Sequence, residues 1–261
     1  MDDPALQNFW DDLRATTQAR IGLGRSGDAL PTTRVLEFRA AHAVARDAVH
    51  QPLDTGPLVD RVESVGLGRP VVVTSRAADR GEYLRRPDLG RTPADLSAVP
   101  ETTADIGFVL ADGLSPRAIT DHAVPLLAAL VAEFDGRFTI APPVIATQAR
   151  VALGDHIGAA LGVRTVLVLI GERPGLSVAD SVGVYLTHRP APGRTDADRN
   201  CVSNIHPPDG LAYPVAARVV AGLVAGAWQL GRSGVDLKDT SRADALTGDG
   251  RTYRVIDSAG G

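Results

Sequence analysis

Residues Leu167–Leu176 read LVLIGERPGL. The apolar run that ends here begins at Thr165 and stops abruptly at Gly171. An acid, a base, a proline and a second glycine follow. A short continuous apolar run bounded by turn residues predicts a strand buried on both faces. That in turn predicts an α/β fold whose helices cover both sides of a sheet. The charged pair after Gly171 then sits at the carboxyl end of a strand, where open α/β sheets bind ligands.

Working outward, further strands are expected at Val71–Val73, at Ile106–Ala111, and at either Phe138–Ile140 or Val144–Ala146. Another is expected at Val182–Thr187. Helical spacing fills the intervals Pro116–Phe134, Gln148–Leu161 and Tyr213–Leu230. Alternating strands and helices of these lengths predict a Rossmann-like, mostly parallel sheet with flanking helices. Before it, Leu6–Ile21, Pro31–His50 and Leu58–Val65 carry helical patterns without strands. The expected organisation is a helical N-terminal region over 1–65 and an α/β region over 66–261. The tail after Ser241 is polar and glycine-rich, and is expected to be loosely ordered.

The chain has 261 residues with a formal charge of −4, so it lacks the basic footprint of a nucleic-acid binder. Its single cysteine, Cys201, forbids an intrachain disulfide and points to a reducing compartment. No apolar run approaches the ~18 residues of a membrane span, and the acidic N-terminus has no signal-peptide core.

Motifs of chemistry are few. Gly22-Leu23-Gly24-Arg25-Ser26-Gly27 matches GxGxxG but follows a helix instead of a strand, so a helix-ending turn is the expectation. No GxSxG elbow exists, and Ser115 in Asp112-Gly113-Leu114-Ser115 has no histidine partner at a defensible spacing. Cys201 and His206 lack the further ligands a zinc site requires. Three glycine- or polar-rich segments remain: 112–115, 171–175 and the loop expected over 193–205. The glycines at 171 and 175 would let backbone approach a ligand, Pro174 would stiffen the turn, and Ser177–Asp180 would cap a helical turn. Turns, caps and local salt bridges explain the same residues without a ligand.

Taken together, several segments resemble the small (light) subunit of ethanolamine ammonia-lyase over about Leu13–Asp239. They are Leu13–Arg20 with Gly24–Gly27, RPDLGR at Arg86–Arg91, DGLS at Asp112–Ser115, GERPGL at Gly171–Leu176, and the RxCxSNI run at Arg199–Ile205. The resemblance implies an adenosylcobalamin-dependent lyase that converts ethanolamine to acetaldehyde and ammonia by radical chemistry. It implies a large-subunit partner that holds the substrate, with the cofactor at the interface of the two chains. It also implies three cofactor-binding residues: Val151 as an apolar contact, Glu172 as a hydrogen-bond acceptor, and Cys201 as a packing and weakly polar contact. No catalytic residue and no metal ligand is expected in this chain. Asp155-His156-Ile157-Gly158 resembles the DxHxxG of enzymes that ligate cobalt through histidine, but its spacing is wrong and a helical position is expected. Some relatives carry a long N-terminal extension linked to bacterial microcompartments. This chain starts close to the matching segments, so the cytoplasm is expected. A stand-alone corrinoid- or nucleotide-binding module is the rival reading. In either case an isolated subunit should expose apolar interface surface.

Overall fold

The computed structural model describes residues 4–239. The tail after Ser241 therefore lies outside the described residues. Three helices come first: α1 (Pro4–Ala15), α2 (Thr32–His50) and α3 (Thr55–Glu63). Then follow β1 (Val71–Thr74), α4 (Arg80–Arg85), β2 (Ile106–Ala111), α5 (Pro116–Phe134), β3 (Val144–Thr147), α6 (Leu153–Leu161), β4 (Thr165–Gly171), β5 (Val182–His188), β6 (Asn200–Ile205) and α7 (Tyr213–Leu230).

The strands form one six-stranded sheet in the order β1-β3-β2-β4-β5-β6. β1, β3, β2 and β4 pair in parallel, whereas β4–β5 and β5–β6 pair antiparallel. The α/β class with flanking helices holds, but the mostly parallel expectation holds for only one side of the sheet. The segment 193–205, read as a loop, contains the edge strand β6. Its polar residues and mixed burial hide the strand from pattern reading.

Every residue of β2 and β4 is buried, and the side chains alternate between two cores. Phe108, Leu110, Leu167 and Leu169 pack with α5, α7 and α3 on one face. Val109, Val166, Val168 and Ile170 pack with Leu153, Ile157 and Leu161 of α6 on the other. Covering both faces is what makes the sequence of β4 continuous in apolar character instead of alternating. α5 begins where Ser115 Oγ accepts from Ala118 N and Pro116 fits the first helical position. α6 and α7 end at Gly162 and Gly231, both left-handed.

Two helices are shorter than their patterns suggest. α1 stops at Ala15 because Thr16 and Thr17 turn their hydroxyls onto nearby backbone, a competing arrangement to the helix. α6 starts only at Leu153 for a reason that lies in the site, below. Gly22, Gly24 and Gly27 all have positive φ and form a loop between α1 and α2. Among the described residues no helix is long and apolar enough to cross a membrane.

Candidate functional site

Because β2, β3 and β4 run in parallel, their carboxyl ends meet at one edge of the sheet. The loops that follow them, at 112–115, 148–152 and 172–175, build one wall of a cleft. The first and third of these loops are pressed together. Leu114 N donates to Gly171 O at 2.9 Å, and a Cβ on Gly113 (φ +56°) would lie 2.1 Å from that same oxygen. A Cβ on Gly171 would lie 2.1 Å from Ser115 O. Gly113 of DGLS and Gly171 of GERPGL therefore serve backbone-to-backbone packing of two loops. Gly171 also lines the smaller pocket described below, so the same glycine faces the cleft.

The second loop is held by Asp112. Its carboxylate is fully buried and accepts from Gln148 N and Ala149 N, each at 2.8 Å, and from Arg80 Nη1 at 3.2 Å. Burial pushes the Asp112 carboxyl up to about 6, against the opposing pull of the Ala149 N–H and of Arg80. Gln148 is left-handed at φ 53°, a conformation unusual for a side chain of its size. Asp112 thus claims the two N–H groups with which a helix would have begun, and α6 is delayed to Leu153. Val151 falls in the resulting turn, not on the helix as the sequence suggested.

Tyr83 and Arg150 complete this wall. Tyr83 is fully buried, and its hydroxyl donates to Ala149 O at 3.0 Å. The guanidinium of Arg150 lies 4.7 Å from the centre of the Tyr83 ring, and that of Arg80 lies 4.8 Å from it. The opposite wall is antiparallel. Tyr185 of β5 pairs with Val168 on one side and Cys201 of β6 on the other.

Between these walls lie two adjoining pockets of about 340 and 500 Å³. Arg150, Val151 and Tyr185 line both, and Glu172 lines the smaller. Val151 and Glu172, separate in sequence, are therefore brought to one cleft. Cys201 is exposed on the edge strand and joins through Tyr185, its cross-strand partner. Packing of surrounding atoms pushes the Cys201 thiol up to about 11, with Glu172 adding to the effect and the neighbouring Tyr185 hydroxyl opposing it. Desolvation, with Cys201 and Glu172 nearby, pushes Tyr185 up to about 12.

Glu172 is oriented by its surroundings. Its Oε2 accepts from Ser181 Oγ at 2.7 Å and from Asn204 N at 3.2 Å, while Oε1 takes no hydrogen bond among the described residues. A Cβ at Gly183 opposite would sit 2.9 Å from Oε1, so a side chain there would press on the carboxylate. Ser177 caps no helix, contrary to expectation. The tip of its loop is instead tied to the N-terminal segment, with Ser177 Oγ donating to Gln18 O and Arg20 to Leu176 O.

Pattern reading missed Tyr83, Arg150 and Tyr185. The strand containing Tyr185 was legible, but which face it presents depends on register across β4 and β6. No histidine lines either pocket, so the cleft offers no imidazole to a metal. Among the described residues no group of three or more His, Cys, Asp or Glu could hold a metal ion.

The family model "Ethanolamine ammonia-lyase light chain (EutC)" matches residues 7–238. The chain belongs to the ethanolamine ammonia-lyase light-chain family. An ethanolamine ammonia-lyase small subunit of Rhodococcus erythropolis is 70% identical over 245 residues, covering 94% of this chain and 95% of that one. The small subunit of Ralstonia nicotianae is 44% identical, covering 97% of each chain. That of Azotobacter vinelandii is 44% identical, covering 95% of this chain and 94% of its own. The light-chain family is a subunit family of a carbon–nitrogen lyase, and a small subunit implies a large-subunit partner.

Proposed function

We propose that this chain forms one wall of the adenosylcobalamin site in an ethanolamine ammonia-lyase, with a large subunit closing the other side and holding the ethanolamine. The observation that carries this reading is the shared cleft. Val151 and Glu172 line it together, and Tyr185 connects them to Cys201. The fit is that of a wall and not of an enclosure. The pockets are open, a corrinoid is larger than either, and the lining mixes an apolar side chain with acceptors and donors suited to a ring fringed by amides.

The bound cofactor would supply the radical chemistry. This chain's residues would bind, orient and exclude water. Glu172 Oε1, left over once Oε2 is committed to Ser181 and Asn204, accepts from an amide or hydroxyl of the ligand. Val151 gives apolar contact, and Cys201 packs as a neutral thiol. Exposed Leu36, Phe38 and Val44 on α2 support a subunit that works in a complex.

The test is co-expression with a candidate large subunit. The complex should retain adenosylcobalamin and release acetaldehyde from ethanolamine. A chain that binds a corrinoid alone, with no stable complex and no acetaldehyde, would instead be a stand-alone binding module. Glu172→Ala should weaken cofactor retention about tenfold, the loss of one good hydrogen bond to a charged group. Unchanged affinity would remove Glu172 from the site.

A further inference from the structure

The larger pocket holds an imbalance of charge commitments. Its two acids are already paired. Asp88 accepts from Arg86 at 2.9 and 2.7 Å, and Asp196 accepts from Arg199 at 2.8 Å. Its two bases are not. Neither Arg91 nor Arg150 makes a side-chain hydrogen bond or an ion pair with any described residue, and Arg150 Nε is buried without a partner.

Arg150 is also held in place. Its guanidinium stacks on Tyr83, which is itself fixed through its hydroxyl to Ala149 O. Gly90 makes the room, since a Cβ there would come within 2.8 Å of the Tyr83 ring and 3.0 Å of Arg150 Cγ. A planar cation that is partly desolvated, pre-oriented and without a counter-charge is a receptor for an anion with paired oxygens, above all a phosphate ester. Glu172 serves the other end of the cleft, where acceptors are needed.

We infer that Arg150, backed by Arg91, takes the phosphodiester of the corrinoid's nucleotide tail and so selects corrinoids that carry one. This rests on the cofactor reading above. A free nucleotide would offer the same phosphate chemistry, so the experiment separates the two sources. Wild-type and Arg150→Gln complexes with the large subunit are equilibrated with adenosylcobalamin, with adenosylcobinamide (which lacks the tail) or with ADP, and retained ligand is measured after gel filtration.

The substitution should weaken adenosylcobalamin binding about tenfold, a loss of about 1.4 kcal/mol, and leave adenosylcobinamide unchanged. Arg150→Lys keeps the charge but loses the planar stack, and should fall between the two. It also serves if the glutamine variant does not fold: a loss confined to adenosylcobalamin supports the assignment. Equal losses for both corrinoids, or none for either, would overturn it. ADP binding that Arg150→Gln abolishes would reassign the arginine to a nucleotide. Wild-type complex that retains no adenosylcobalamin would sink the cofactor reading and this inference together. Retention that Arg150→Gln does not alter would sink the inference alone.

Discussion

The inner strands and the outer parts of this molecule solve different problems. Every residue of β2 and β4 is buried, and the loops that leave them are pinned by backbone contacts and by Asp112. By contrast, α2 runs for 19 residues with only Ala48 buried, and β6 is an edge strand exposing Cys201. The inner region is over-determined, so its geometry survives whatever binds beside it. The outer region keeps side chains available. A cleft between the two has one rigid wall and one whose groups still face outward.

The strongest way to break this contrast is at the rigid wall. Asp112→Ala removes the acceptor for two backbone N–H groups and leaves Arg80 buried, with its Nη1 reduced to Gly113 O. Stripping one partner from such a buried pair costs roughly 3–5 kcal/mol, and denaturant unfolding would measure it. A loss below about 1 kcal/mol would mean that the 148–152 turn is held by other contacts.

The outer wall should show its character in chemistry more than in stability. Cys201 is exposed, yet its thiol is raised to about 11 from a usual 9.0. Two pH units cut the thiolate fraction near pH 8 about a hundredfold, so alkylation by iodoacetamide should lag a free thiol by that factor. The rate should keep rising with pH toward 11 instead of levelling near 9. In Glu172→Ala the profile should move to lower pH, because a carboxylate that disfavours the thiolate is gone. An ordinary cysteine profile would show that Tyr185 and its neighbours do not enclose the sulfur in solution.

The same contrast explains what was legible in the sequence. β4 and β2 announce themselves because burial on two faces leaves no polar alternation, and α5 and α7 because prolines, a serine cap and a terminal glycine mark their ends. β6 did not, since an edge strand with Asn200, Ser203 and Asn204 carries no periodic signal and ends near a left-handed Asn204. Glu172 was legible as the first residue past a strand. Tyr185 and Arg150 were not, because one depends on strand register and the other on stacking against a ring 67 positions away. Identity of the proposed ligand was never in the pattern at all. It came from the resemblance of whole segments.

The smallest expected effect is on α2. Leu36 is 58% exposed and Phe38 is 45% exposed, so neither gives up much surface when the chain folds alone. Leu36→Asn changes helix propensity slightly and leaves no cavity, because there is little packing to vacate. Its cost to the isolated chain should stay within about 0.5 kcal/mol, read from the denaturant midpoint. The same change at a fully buried leucine such as Leu169 would put an unpartnered amide into the core. A loss above about 1 kcal/mol at Leu36 would show that α2 packs its apolar residues in the free chain, and the outer region would then be as finished as the inner one.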